Sequence, residues 1–142
     1  VLDYQLDGTN DLIVQKDGYL ASEKSVDVST KTQNLAQGLF SGEGFFILKV
    51  SGRGTVFLNS YGSIHEIDLQ EGQEYIVDNQ HLVAWTSNTN YKIEKASSSG
   101  WISSLTSGEG FVCRFRGPGK VYIQTRNPRS FASWINSMVI SK

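Results

Sequence analysis

"LFSGEGFFILKVSGRGTVFL" spans residues 39–58 and "LTSGEGFVCRFRGPGKVYI" spans 105–123, about 66 positions further on. A chain that states nearly the same sequence twice carries the same building block twice. The likeness extends outward from these blocks. "DLIVQKDGYLA" at 11–21 aligns without a gap to "EYIVDNQHLVA" at 74–84, sharing Ile13/Ile76, Val14/Val77 and Ala21/Ala84. "VDVST" at 26–30 faces "YKIEK" at 91–95, and "GRGTVFL" faces "GPGKVYI" after a slip of one residue. The 142 residues therefore read as one duplicated domain, with repeat one over about 11–73 and repeat two over about 74–138.

Within each repeat the pattern is strand and turn. "LIV", "YLA" and "VDV" are short β-prone segments, and "SIHEIDL" alternates apolar with polar residues. "FFILKV" is a near-continuous apolar run of strand length, as expected of a strand buried on both faces. Gly52 and Gly54 in "SGRG" predict a turn before the next strand. Near the C-terminus "SFASWINSM" predicts one short helical turn. The expected class is all-β, a pair of homologous β repeats in a sandwich.

"GLFSGEGFFILKVSGRGTVFLNSYG", "EYIVDNQHLVAW", "SSLTSGEGFVCRFRGPGKVYIQTRNP" and "FASW" together resemble the family named for altered inheritance of mitochondria. The resemblance runs from about Asp11 to Trp134. It implies a β-sandwich of repeats similar to the tryptophan RNA-binding attenuation protein, grouped with double-stranded β-helix folds. Eukaryotic members are mitochondrial biogenesis proteins, and most bacterial members have no known function. Bacterial members usually carry an extra, more divergent repeat ahead of the two seen here, so this chain reads as a short form or a fragment. A body lacking one unit would expose an apolar face, and self-association would cover it.

Charge is unevenly spread behind a net value of −1. Residues 1–74 hold five basic and eleven acidic side chains, whereas 111–142 hold six basic and no acidic ones. Either the two ends pair, within or between molecules, or the basic end meets an anionic partner. Arg114, Arg116, Lys120, Arg126 and Arg129, near Phe115, Tyr122, Phe131 and Trp134, are the candidate residues for a partner protein, nucleic acid or anionic lipid.

Chemistry has little support. His65 and His81 lack the closely spaced histidine and carboxylate set a cupin-type metal site needs, so no metal and no cofactor are expected. Cys113 sits in the apolar run "FVCRF" and reads as a small core residue; as the lone cysteine it fits a reducing, cytoplasmic setting, mitochondrial in a eukaryote. Glu43 and Glu109 hold equivalent places in the two "SGEG" blocks, as a carboxylate pair or as acceptors of turn amides, the latter preferred. No catalytic set is present, and a hydrolytic or metal-dependent activity is the remote alternative. The expectation is a non-enzymatic interaction or scaffold module that forms homo-oligomers or binds a protein. The alternative is a polyanion-binding module using 111–142. No apolar run is long enough to span a bilayer as a helix.

Overall fold

The computed structural model describes residues 1–33, 45–95 and 111–139. Both "SGEG" blocks, with Glu43 and Glu109, lie outside the described residues. The chain is all-β with one terminal helix. In order it forms β1 (Leu2–Asp7), β2 (Leu12–Gln15), a 3-10 turn (Lys16–Gly18), β3 (Tyr19–Ser22), β4 (Val26–Gln33) and β5 (Phe45–Leu58). Then follow β6 (Ile64–Leu69), β7 (Glu74–Asp78), β8 (Leu82–Thr86), β9 (Asn90–Lys95), β10 (Phe111–Arg116), β11 (Gly119–Gln124) and α1 (Pro128–Met138). All pairings are antiparallel.

β5 organises the first half. Its early residues pair with β2 on one side and β4 on the other, and its later residues pair with β1 and β3. The glycine turn expected at "SGRG" is not formed. Gly52 and Gly54, at φ of 105° and 145°, instead carry one long strand through a bend, which a residue with a Cβ resists. In the second half the same path is interrupted at Gly117–Pro118, a cis peptide, giving β10 and β11 as separate strands. β10 lies between β7 and β9, and β11 between β6 and β8.

The pairings of the second set follow those of the first position for position. Leu12 opposes Val50 as Tyr75 opposes Phe115, and Val28 opposes Val50 as Tyr91 opposes Phe115, so Tyr91 corresponds to Val28, two residues beyond the Val26 that the sequence alignment sets against it. Leu2 opposes Leu58 as His65 opposes Ile123. Even the irregularity recurs: Tyr19 and Ala21 oppose Leu58 and Phe57, skipping Leu20, as Leu82 and Ala84 oppose Ile123 and Tyr122, skipping Val83. Polar contacts match too. The Lys49–Asp11 ion pair at 3.0 Å corresponds to Arg114–Glu74 at 3.6 Å, and Asn59 N–H to Gly18 C=O at 2.8 Å corresponds to Gln124 N–H to His81 C=O at 2.7 Å. β1 and β6 thus stand at equivalent places, ahead of Asp11 and Glu74, where local sequence similarity begins.

One seam joins the sets. β2 pairs with β8, setting Leu12 opposite Thr86, Ile13 opposite Trp85 and Val14 opposite Ala84. The strands buried on both faces are these two: Leu12, Ile13 and Val14 are all buried, as is every residue of β8. In "FFILKV", Ile47 and Val50 are buried but Leu48 and Lys49, on opposite faces of the strand, only partly, so neither face is covered along its whole length. Two cores flank the seam. Ile13 and Ile47 cross from the first set to pack with Trp85, Phe115, Cys113 and Val121. Val83, Ala84 and Tyr122 cross from the second set to pack with Leu12, Val14, Val50 and Val56.

The C-terminal segment forms a three-turn helix rather than a single turn. Asn127 caps it, its Oδ1 accepting the Ser130 N–H at 2.7 Å, and Pro128 opens the first turn, where no amide hydrogen is needed.

Candidate functional site

The five basic candidates are not brought together as one patch. Arg114, on β10, points at Glu94 (3.4 Å) and Glu74 (3.6 Å). Lys120, on β11, holds Glu66 of β6 at 2.8 Å, and that contact raises the lysine pKa above its ordinary value. Basic residues of the C-terminal third thus pair with Glu66 and Glu74 of the acidic first 74 residues inside one molecule. Half-exposed pairs of this kind contribute about 1 kcal/mol or less each. Arg116 is exposed at the end of β10. Arg126 and Arg129 flank the cap of α1 in the chain and border different clefts.

The helix start is anchored by His81. Its Nδ1 lies 2.8 Å from the Gln124 carbonyl oxygen, so Nδ1 carries the hydrogen and donates it. Nε2 is then the acceptor for the Asn127 Nδ2–H at 3.1 Å. This histidine is a structural bracket between β8's leading turn and α1, while His65 is exposed on β6. Among the described residues no three His, Cys, Asp or Glu side chains gather as metal ligands.

Beyond the cap, Phe131, Trp134, Ile135, Met138 and Val139 recur at the spacing of one helix face. None of them is buried, and Trp134 is 56% exposed. Phe131 stacks on Trp134 at 6.1 Å and meets Tyr61 of the β5–β6 connection at 5.9 Å. A groove of about 400 Å³ runs between them, bordered by Tyr61, His81, Arg126, Asn127 and Phe131. On its other side the helix start borders a polar cleft of about 430 Å³ lined by Gln15, Asn79, Gln80, Gln124 and Arg129. Composition alone did not single out this apolar stripe; its spacing of three and four residues was the available signal.

Cys113 is fully buried, and burial pushes its thiol pKa up to about 12. At neutral pH it is protonated and walled in by the aromatic core, the opposite of an activated nucleophile. Among the described residues no helix is long and apolar enough to cross a membrane.

Against known proteins, residues 1–126 match the family described as mitochondrial biogenesis AIM24. An uncharacterised protein of Streptococcus pyogenes serotype M6 is 38% identical over 115 residues, which cover 80% of this chain and 45% of that protein. A crystal structure of a Streptococcus pyogenes protein, SPYM3_0169, superposes with a TM-score of 0.78 at 33% identity, over 97% of this chain and 59% of that one. The chain spans about half the length of the relatives it matches. With the matching profile covering 126 of its 142 residues, the chain belongs to the AIM24 mitochondrial biogenesis family.

Proposed function

We propose that this chain is a non-enzymatic interaction module that associates with copies of itself. Open strand edges carry this reading, two of them above all, because their counterparts in the other set are paired on both sides. Among the described residues β3 pairs only with β5, and β7 only with β10. An unpaired edge offers a row of backbone donors and acceptors to another strand. Around the β3 edge the side chains are apolar as well: Leu20 is 53% exposed and Phe57 38%. Native mass spectrometry of the 142-residue chain tests it. The chain is expected to be oligomeric at about 50 µM, well above the micromolar range where association of such patches is measured. Ala21→Lys places a charge on the exposed β3 edge, where lysine blocks edge pairing. It should shift the population to monomer with an unchanged far-UV circular dichroism spectrum. A native chain that is monomeric at that concentration refutes the reading.

A second reading is favoured by α1: an anionic lipid surface bound through the apolar stripe, with Arg126 and Arg129 at the headgroups. Such a helix lies in the interface plane and does not span the bilayer. The chain should float with vesicles of phosphatidylglycerol and not with phosphatidylcholine alone. Phe131→Ser with Trp134→Ser should cut the bound fraction at least about fivefold, since two aromatic anchors leave the interface. Equal flotation with both vesicle types, or none with either, discards this reading.

A further inference from the structure

The seam between the two sets shows what each open edge lacks. At the seam the first set contributes β2 and the second contributes β8. The strand of the second set that corresponds to β2 is β7, and the strand of the first set that corresponds to β8 is β3. Among the described residues each of those two pairs on one side only, where its counterpart pairs on both. One molecule therefore carries both halves of a second seam, on different sides.

Side-chain burial divides the same way. Val83 on β8 is 1% exposed because β2 and its core cover it, while Leu20, at the corresponding place on β3, is 53% exposed. Tyr122 is 3% exposed and its counterpart Phe57 is 38%. Ala84 is buried and Ala21 is exposed. On the outgoing side, Ile13 and Ile47 reach into the core of the neighbouring set. Their counterparts Ile76 and Val112 form a small cluster of their own, joined to neither core. Val112 is already enclosed in its own molecule at 2% exposed, but Ile76 is only half-buried, and Leu20 and Phe57 are exposed, without the cover that their counterparts have.

Resting on the self-association reading, we infer that β7 of one copy pairs antiparallel with β3 of a second copy in the register of the internal seam. Tyr75 then opposes Glu23, Ile76 opposes Ser22 and Val77 opposes Ala21. Ile76 then faces Tyr19, Ser22 and Val56 of the second copy, as Ile13 packs with Leu82, Trp85 and Val121 within the molecule, while Leu20 and Phe57 of the second copy lie over Tyr75 and Val77, as Val83 and Tyr122 pack with Leu12 and Val14. The joint is head-to-tail: each copy uses one edge to give and another to receive. Such joints close into rings or continue as filaments, rather than stopping at a symmetric pair.

Two single-cysteine variants, Ile76→Cys and Ser22→Cys, test this directly. Directly opposed residues of an antiparallel pair bring their Cβ atoms to about 5 Å, close to disulfide range. Cys113 stays out of the chemistry, being fully buried. Under mild diamide oxidation an equimolar mixture should yield covalent dimers from at least about half of the mixed pairs, and each variant alone should yield almost none. Glu74→Cys mixed with Ser22→Cys, two residues out of register on the same face, should cross-link at least about tenfold more slowly. Efficient cross-linking of either variant alone would mean a symmetric joint and overturn the inference. So would equal rates for the 74 and 76 positions. An uncross-linked mixture that remains oligomeric leaves self-association standing and removes this joint; a monomeric chain removes both.

Discussion

Trp85→Ala lowers the thermal unfolding midpoint by more than about 10 °C, a loss of about 3–5 kcal/mol for emptying a fully buried aromatic site. Trp85 lies on β8, the strand that joins the two sets, and pairs across to Ile13 and Val121. Its ring leaves that sheet and packs against Tyr91 of β9 at 4.9 Å and Phe115 of β10 at 5.3 Å. It therefore ties the large curled sheet to the three-stranded one. Alanine removes that tie, and the rigid strands around it do not collapse to fill the void. Trp85→Phe should cost only about 1–2 kcal/mol: most of the packing remains, and the indole Nε1–H, which is buried without a partner among the described residues, is removed. A midpoint drop below about 3 °C for the alanine variant, by differential scanning calorimetry, would show that this ring does not hold the sheets together.

Gly119→Ala should cost about 3 kcal/mol or more. Gly119 sits at φ 144°, matching Gly54 at 145° in the corresponding strand, so the backbone itself disfavours a Cβ there. The surroundings add a second penalty. A Cβ would collide with the Thr89 hydroxyl and come within 2.9 Å of the Thr86 Oγ1. Those two buried hydroxyls bond each other at 3.2 Å, and the Thr86 oxygen accepts the Lys120 N–H at 3.0 Å. Displacing them leaves buried polar groups unpaired, at about 1–3 kcal/mol each. Gly72→Ala separates the two penalties. Gly72 has φ 81° with nothing near its missing Cβ, so only backbone strain applies, about 1 kcal/mol. Equal losses for the two variants in urea denaturation would show that the threonine contact is irrelevant.

Strand positions were legible because they depend on neighbours two residues away. "LIV", "YLA" and "VDV" become β2, β3 and the start of β4, and "GRGTVFL" and "GPGKVYI" correspond in the strand registers as they do in the sequence. The helix was under-read. The spacing of Phe131, Trp134, Ile135 and Met138 describes three turns and "NP" at 127–128 its start, while no capping signal marks its end. The turn expected at "SGRG" failed for a different reason: glycine permits both a turn and a bent continuous strand, and pairing on both sides of β5 selects the second. The basic residues were legible as charges, whereas their pairing with Glu66, Glu74 and Glu94 depends on which strands lie side by side.

The strand-forming segments and the family were legible in residues close together in the chain. The tertiary structure alone decided which of two corresponding residues is buried. Leu20 and Val83 occupy the same place in the same local pattern, yet one is exposed and the other enclosed. Secondary structure follows from local chain stereochemistry and short-range periodicity. Burial follows from what a distant strand places alongside, and β8 has β2 beside it where β3, among the described residues, has no such strand.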